Sequence, residues 1–322
     1  MDKKRQFSPF RVIIMCFAAV TLCGTFLLML PFSSRTGSVE LVDALFTATS
    51  ASCVTGLAVG DTYTMWSPFG QGVILALIQI GGIGIITLMM YALSAMHAKI
   101  KMKNVFVLQE AIGASSSGGL GKMTRFIVIG VLLQEAVGAI LLMPVFVGDY
   151  GFVRGTVYSV FHSVSAFCNA GFDILGGASL SSYGANLYFN VVISLLVIFG
   201  GIGFFVWLDV LKCRFCFSKF ALHTKIVVAT SALLVFGGAI LFFVLFYNSS
   251  AAEKMSLFEK GLASLFQSVS ARTAGFYTVD LCKIGGPAQL LMIFLMLVGG
   301  APGSSNALRL SCGSAGVIAV CG

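Results

Sequence analysis

Charge is what this chain has least of. Only 12 acidic and 20 basic residues occur among 322, 10% in all, against 58% hydrophobic residues and a mean hydropathy of +0.98. Soluble domains of this size carry roughly a quarter charged residues, so a cytosolic or secreted globular enzyme does not fit. Histidine is scarcer still. His97, His162 and His223 offer no histidine–carboxylate arrangement and no serine–histidine pairing of the kind catalysis uses. Several of the nine cysteines, Cys16, Cys23, Cys168 and Cys321 among them, lie inside apolar runs and read as small apolar filler. Cys213 and Cys216, in "CRFC", have no second pair or nearby histidine to complete a zinc set. The expectation is a protein that is not an enzyme and holds no organic cofactor.

What the chain does have is long apolar runs, at about 12–32, 71–96, 126–148, 187–211, 226–247 and 288–300. A helix needs about 20 residues to cross the hydrocarbon core of a bilayer, and all but the last run suffice. The first run follows a basic start, as a signal peptide would. Its 21 residues exceed the usual signal core of roughly 7–15, so it reads as a retained helix. The net charge of +8 does not point to nucleic acid, because the basic residues are placed in alternation. Lys3, Lys4, Arg5 and Arg11 precede the first run; Lys99, Lys101, Lys103, Lys122 and Arg125 separate the second and third; Lys212, Arg214, Lys219 and Lys225 separate the fourth and fifth. The other connections carry Glu40, Asp43, Asp61, Asp149, Asp173, Glu253, Glu259 and Asp280. By the positive-inside rule this predicts a multi-pass protein of the cell inner membrane, embedded in the lipid bilayer with a cytoplasmic N-terminus.

The chain also repeats itself. "DALFTATSASCVTGLAVGD" lies between runs one and two, "YSVFHSVSAFCNAGFDILG" between three and four, and "ASLFQSVSARTAGFYTVD" between five and six. Phe46, Phe161 and Phe266 align, then Ser50, Ser165 and Ser270, then Gly56, Gly171 and Gly275; the third copy is one residue shorter before its glycine. Each following run has a glycine cluster: "GGIG" at 81–84, "GGIG" at 200–203 and "GGAPG" at 299–303. "GGIG" is half a dinucleotide fingerprint, but it sits inside a span with no strand before it. Each unit starts on the basic side, so the units are parallel and meet around an axis along the membrane normal.

Irregular backbone at membrane depth is tolerated only where protein or water surrounds it. Leu41–Ala51, Thr156–Phe167 and Leu257–Ser270 have helical apolar spacing, so each forms a half-helix that enters from outside. A glycine-containing strand then climbs back, giving re-entrant segments at 41–60, 156–176 and 257–280. Glycine permits backbone angles that aim successive carbonyl oxygens at one axis, where they replace the water shell of a dehydrated cation. Extracellular loops with small residues for packing are the plainer reading, which three aligned copies disfavour.

In "CVTGL" (53–57), "CNAGF" (168–172), "RTAGF" (272–276) and "GGAPGSS" (299–305) the chain resembles the Trk/Ktr/HKT superfamily of potassium transporters, in its Ktr-type membrane subunit. The resemblance covers about residues 8–305. It implies an all-α polytopic membrane protein built of parallel helix–re-entrant pore loop–helix repeats, three of an expected four, around a central ion pore. The repeats would be 8–103, 120–216 and 220–305, followed by an atypical tail at 306–322. It further implies a potassium filter of Val54, Thr55 and Gly56, Asn169, Ala170 and Gly171, and Thr273, Ala274 and Gly275. Gly56, rather than serine, favours potassium. The transported ion would be K+, with Na+ as a coupling or activating ion. Gly299, Gly300, Ala301, Pro302, Gly303, Ser304 and Ser305 would form an intramembrane gate, where Pro302 removes a backbone donor. The resemblance implies a homodimer seated on a cytosolic nucleotide-binding regulatory ring.

Arg272 adjoins the third filter strand. A bare cation there would repel potassium, so it is expected behind the strand, as filter support, facing an acidic partner. Glu135 is an acid inside a span, functional by default, or else a buried hydrogen-bonded carboxyl. After Ser305 the sequence leaves the family pattern abruptly, as a frameshift or truncation would produce. The fourth filter segment, due near residues 370–380, is missing. Two alternatives to potassium uptake therefore stand: a truncated, non-conducting membrane protein that only binds a partner, and a secondary transporter of another small substrate.

Overall fold

Lipid offers no hydrogen bonds, so an apolar chain must pair its backbone groups within each segment, and helix does this. The computed structural model describes residues 9–84, 120–176, 180–214, 217–253 and 255–300. Among these, the regular elements are all helices. In order they are α1 (Pro9–Leu28), α2 (Leu41–Ser52), α3 (Thr62–Met65), α4 (Pro68–Ile83), α5 (Leu120–Tyr150), α6 (Phe152–Phe167), α7 (Leu187–Ile202), α8 (Phe204–Lys212), α9 (Leu222–Phe246), α10 (Leu257–Thr273) and α11 (Gly286–Val298), with short 3-10 turns between them. A single β-bridge joins Ser34 and Trp66.

The helices group in threes. α1, α2 and α4 pack on one another, as do α5, α6 and α7, and α9, α10 and α11. Successive groups interlock: α4 also packs on α6, and α7 on α10. Phe167, Phe172, Phe266 and Phe276 are fully buried in one core cluster that draws on all three groups. The outward faces keep Leu133, Ile140, Leu233, Phe236, Ile240, Leu290 and Phe294 exposed, which suits a lipid surround and not water.

Local chemistry sets the helix starts. Ser67 accepts the Gly70 N–H, with Pro68 at the first helical position of α4. Asn186 caps α7 through the Phe189 N–H. Ser256 and Glu259 form a reciprocal capping box on α10.

Among the described residues two helices, Arg125–Tyr150 and Leu222–Phe246, are by themselves long and apolar enough to cross a membrane. The expected continuous span 187–211 is instead broken. Leu187–Ile202 and Val206–Lys212 meet at a 95° bend, because Gly203 takes φ 98° and ψ 146°, a conformation a side chain disfavours. In the first "GGIG" α4 likewise stops at a positive-φ glycine, Gly84, φ 87°. The half-helices also differ at their ends. α6 begins at Phe152, before the expected Thr156, and α10 runs on to Thr273, past Ser270.

Candidate functional site

Three short helices, α2, α6 and α10, end at the aligned motifs, α2 and α6 just before them and α10 at their second residue, Thr273, and they end in related ways. After α2, the Val54 N–H returns to the Ala51 carbonyl and the Thr55 N–H to the Ser50 carbonyl; after α6, the Asn169 N–H returns to Ala166 and the Ala170 N–H to Ser165. Both patterns are Schellman closures, which need a left-handed residue. Val54 (φ 55°) and Asn169 (φ 58°) supply it. A β-branched residue rarely adopts that conformation, so nothing in "CVTGL" announced it; Asn169 is the readier candidate. After α10, one residue shorter, the Ala274 and Gly275 N–H groups both return to Ser270. Thr273 is therefore still helical, unlike Val54 and Asn169.

Gly56, Gly171 and Gly275 all have positive φ, at 81°, 75° and 81°. They also bring the strands together. A Cβ on Gly56 would collide with the Ala170 carbonyl oxygen, and one on Gly171 with the Ala274 carbonyl oxygen. Thus the backbone at Thr55–Gly56 adjoins Ala170–Gly171, which adjoins Ala274–Gly275. A Cβ on Gly275 meets no atom of the described residues, and this glycine is exposed.

Side chains behind the strands hold them. Ser165 Oγ donates to the Phe172 carbonyl at 2.6 Å, and Ser270 Oγ donates to that of Phe276. The aligned Ser50 Oγ is buried without a hydrogen-bond partner among the described residues. Arg272 is buried, and its Nη1 donates to the Ser231 carbonyl on α9 at 3.3 Å. The expected acidic partner is not there: no carboxylate among the described residues pairs with Arg272. A main-chain carbonyl of the neighbouring helix takes its place, since that helix carries no acid facing it. Of the expected gate, Gly299 (φ 63°) ends α11 and Gly300 follows it. Ala301, Pro302, Gly303, Ser304 and Ser305 lie outside the described residues, as do residues 306–322.

Each first helix comes close to its neighbours at a glycine. A Cβ on Gly24 would meet Leu77, one on Gly138 would meet Ser163 Oγ and Leu196, and one on Gly238 would meet Ser268 Oγ and Leu295. No spacing in the sequence singled these glycines out. No group of three or more His, Cys, Asp or Glu side chains that could hold a metal ion occurs among the described residues.

Residues 3–307 match the family described as "TrkH: Cation transport protein". The chain belongs to this family. It is 39% identical over 303 residues to the "Potassium/sodium uptake protein NtpJ" of Enterococcus hirae, covering 94% of this chain and 67% of that protein. It is 37% identical over 308 residues to the "Ktr system potassium uptake protein B" of Bacillus subtilis, covering 95% and 68%. The crystal structure of the potassium transporter TrkH from Vibrio parahaemolyticus superposes with a TM-score of 0.69 at 18% identity, over 94% of this chain and 59% of that one. The chain thus spans about two thirds of these curated relatives and shares the fold of a polytopic membrane transporter. It is a membrane-embedded member of a cation-transport family.

Proposed function

We propose that this chain builds three sectors of a pore for potassium uptake, lined by the backbone carbonyls of Val54–Gly56, Asn169–Gly171 and Thr273–Gly275. The observation that carries this reading is the contact series Gly56–Ala170 and Gly171–Ala274: three parallel groups bring their glycine strands side by side. Carbonyl oxygens so gathered replace the hydration shell of a monovalent cation and need no charged ligand. The relatives' names support potassium as the cargo, and one of them adds sodium, which takes a coupling or activating role here.

Arg272, tied to Ser231, supports the third strand from behind. Gly299–Ser305 form the gate, and the exposed side of Gly275 faces the position of a fourth sector. The N-terminus is cytoplasmic, and the pore unit works as a homodimer on a cytosolic nucleotide-binding ring; the printed term "Ktr system" supports a multi-component assembly.

The test is uptake of potassium against sodium in the complete transporter with its cytosolic partner. Gly56→Ser and Gly171→Ser should each reduce discrimination about tenfold, because a side chain at positive φ and against a neighbouring carbonyl moves the coordinating oxygens. Uptake ratios unchanged in both variants sink the filter assignment.

A further inference from the structure

Glu135 lies in the middle of α5 and is 5% exposed. It is not left bare. Gln79 of α4 sends its Nε2 to both carboxylate oxygens, at 3.1 and 2.8 Å. The Cys168 thiol, adjacent to Asn169 at the end of α6, donates to Oε1 at 3.4 Å. The Glu135 carbonyl also receives the Ser163 hydroxyl of α6 at 2.6 Å. The carboxylate therefore sits at the seam between the first and second helix groups, directly behind the second glycine strand. α4 closes in on the same cysteine, since a Cβ on Gly82 would collide with Cys168 Sγ.

The internal symmetry of the fold supplies a control. Gly24, Gly138 and Gly238 mark equivalent points on the three first helices, each against the matching leucine, Leu77, Leu196 or Leu295. Three residues before those glycines stand Thr21, Glu135 and Val235; two residues after those leucines stand Gln79, Ile198 and Leu297. The seam between groups one and two thus carries Gln79 and Glu135, where the equivalent positions of the next seam carry Ile198 and Val235. In the first group Thr21 Oγ1 lies 3.1 Å from Ser52 Oγ at the end of the pore helix. Packing at this point is satisfied twice without charge, so a buried acid, costly to insert in a membrane protein, is not there for packing.

Both side-chain groups on the Glu135 oxygens, the Gln79 amide and the Cys168 thiol, are donors. That set matches a carboxylate, which only accepts; a carboxylic acid would put a competing proton on one oxygen. From this juxtaposition we infer that Glu135 is a cation-affinity determinant: a fixed negative charge, held by Gln79 and Cys168 behind the second filter strand, that strengthens cation binding without touching the ion. The inference rests on the filter reading above. It makes Glu135 a positioning and electrostatic residue rather than a coordinating one. In a medium of low dielectric such a charge acts at a distance that bulk water would screen.

The test uses the complete transporter and potassium as the probe. Glu135→Gln keeps the shape, leaves one oxygen to accept from Gln79, and removes the charge. It should raise the KM for uptake about tenfold with Vmax per inserted protein within about twofold of wild type, and Glu135→Asp should recover most of the affinity. If Glu135→Gln fails to insert, the pair Glu135→Val with Gln79→Ile, copied from the next seam, removes the charge in a neutral packing the fold already uses, and the same rise in KM is expected. A wild-type KM in the inserted variant overturns the inference. So does a fall in Vmax alone, which would make Glu135 a packing residue. Gly171→Ser separates the two readings: altered selectivity there with an unmoved KM in Glu135→Gln rejects this inference alone, whereas unaltered selectivity rejects the filter itself.

Discussion

The carbonyl oxygen of Ala274 occupies the space that a side chain on Gly171 would need. The same holds at the preceding glycine, where Ala170 closes on Gly56. These contacts are backbone on backbone, so neither partner can swing aside as a flexible side chain could. Gly275 has the same left-handed φ but no described neighbour on that face. Replacing each glycine by alanine in this chain should therefore give unequal results. Gly56→Ala and Gly171→Ala carry conformational strain of about 1–3 kcal/mol plus overpacking of about 1–3 kcal/mol. Gly275→Ala carries the strain alone. Thermal unfolding in detergent should rank Gly275→Ala well above the other two, and equal losses at all three would contradict the arrangement of the strands.

The serines behind the strands make a second comparison. Ser165 and Ser270 each donate to the carbonyl that follows the glycine, on Phe172 and Phe276. Alanine there leaves a buried carbonyl short of a donor, at about 1–3 kcal/mol each. Ser50 has no such partner among the described residues, so Ser50→Ala breaks no hydrogen bond and should be close to neutral or stabilising. A Ser50→Ala loss as large as that of Ser165→Ala would mean that the first strand is clamped like the others.

How much of this was legible beforehand depends on the kind of signal. The apolar runs and the threefold alignment marked the helices and the positive-φ glycines Gly56, Gly171 and Gly275, since both are periodic properties of the sequence. The end of α4 at Gly84 and the bend at Gly203 are not legible in "GGIG": an apolar run looks alike whether straight or bent, and only the positive φ decides. The left-handed Val54 was hidden for the opposite reason, because a valine argues against the conformation it holds. Arg272 is expected to face an acidic partner, yet its partner is the Ser231 carbonyl. Sequence patterns reveal side chains, not which backbone oxygen a neighbouring helix will present. Glu135 was visible as an anomaly, but its link to Gln79 spans 56 positions, and no local spacing encodes that.

Orientation is open to direct labelling. Asp61 and Asp173 follow the first and second glycine strands, and Lys212 ends α8 on the other side of the predicted topology. In intact cells a membrane-impermeant thiol reagent should modify Asp61→Cys and Asp173→Cys in a background lacking the exposed Cys23 and Cys282. Lys212→Cys should react only after the membrane is opened. The reverse pattern would invert the topology drawn from the positive-inside rule.

The adjacent glycines of α9 give the most local test of how the third group packs. Gly238 faces α10 and α11: a Cβ there would lie 2.5 Å from Ser268 Oγ and 3.2 Å from Leu295. Ser268 is held in place, because its hydroxyl donates to the Val235 carbonyl at 2.8 Å. Gly238→Ala must therefore either break that hydrogen bond or push α10 away, and overpacking of this kind costs about 1–3 kcal/mol. Gly237, one residue earlier on the same helix, has open space where its Cβ would stand. Gly237→Ala should cost nothing sterically, and alanine's better helix propensity should stabilise α9 by up to about 1 kcal/mol. Two neighbouring, chemically identical substitutions should thus move the unfolding temperature in opposite directions. If both lower it, α9 is rotated from the orientation described, and the equivalence of Gly24, Gly138 and Gly238 that frames the Glu135 position fails with it.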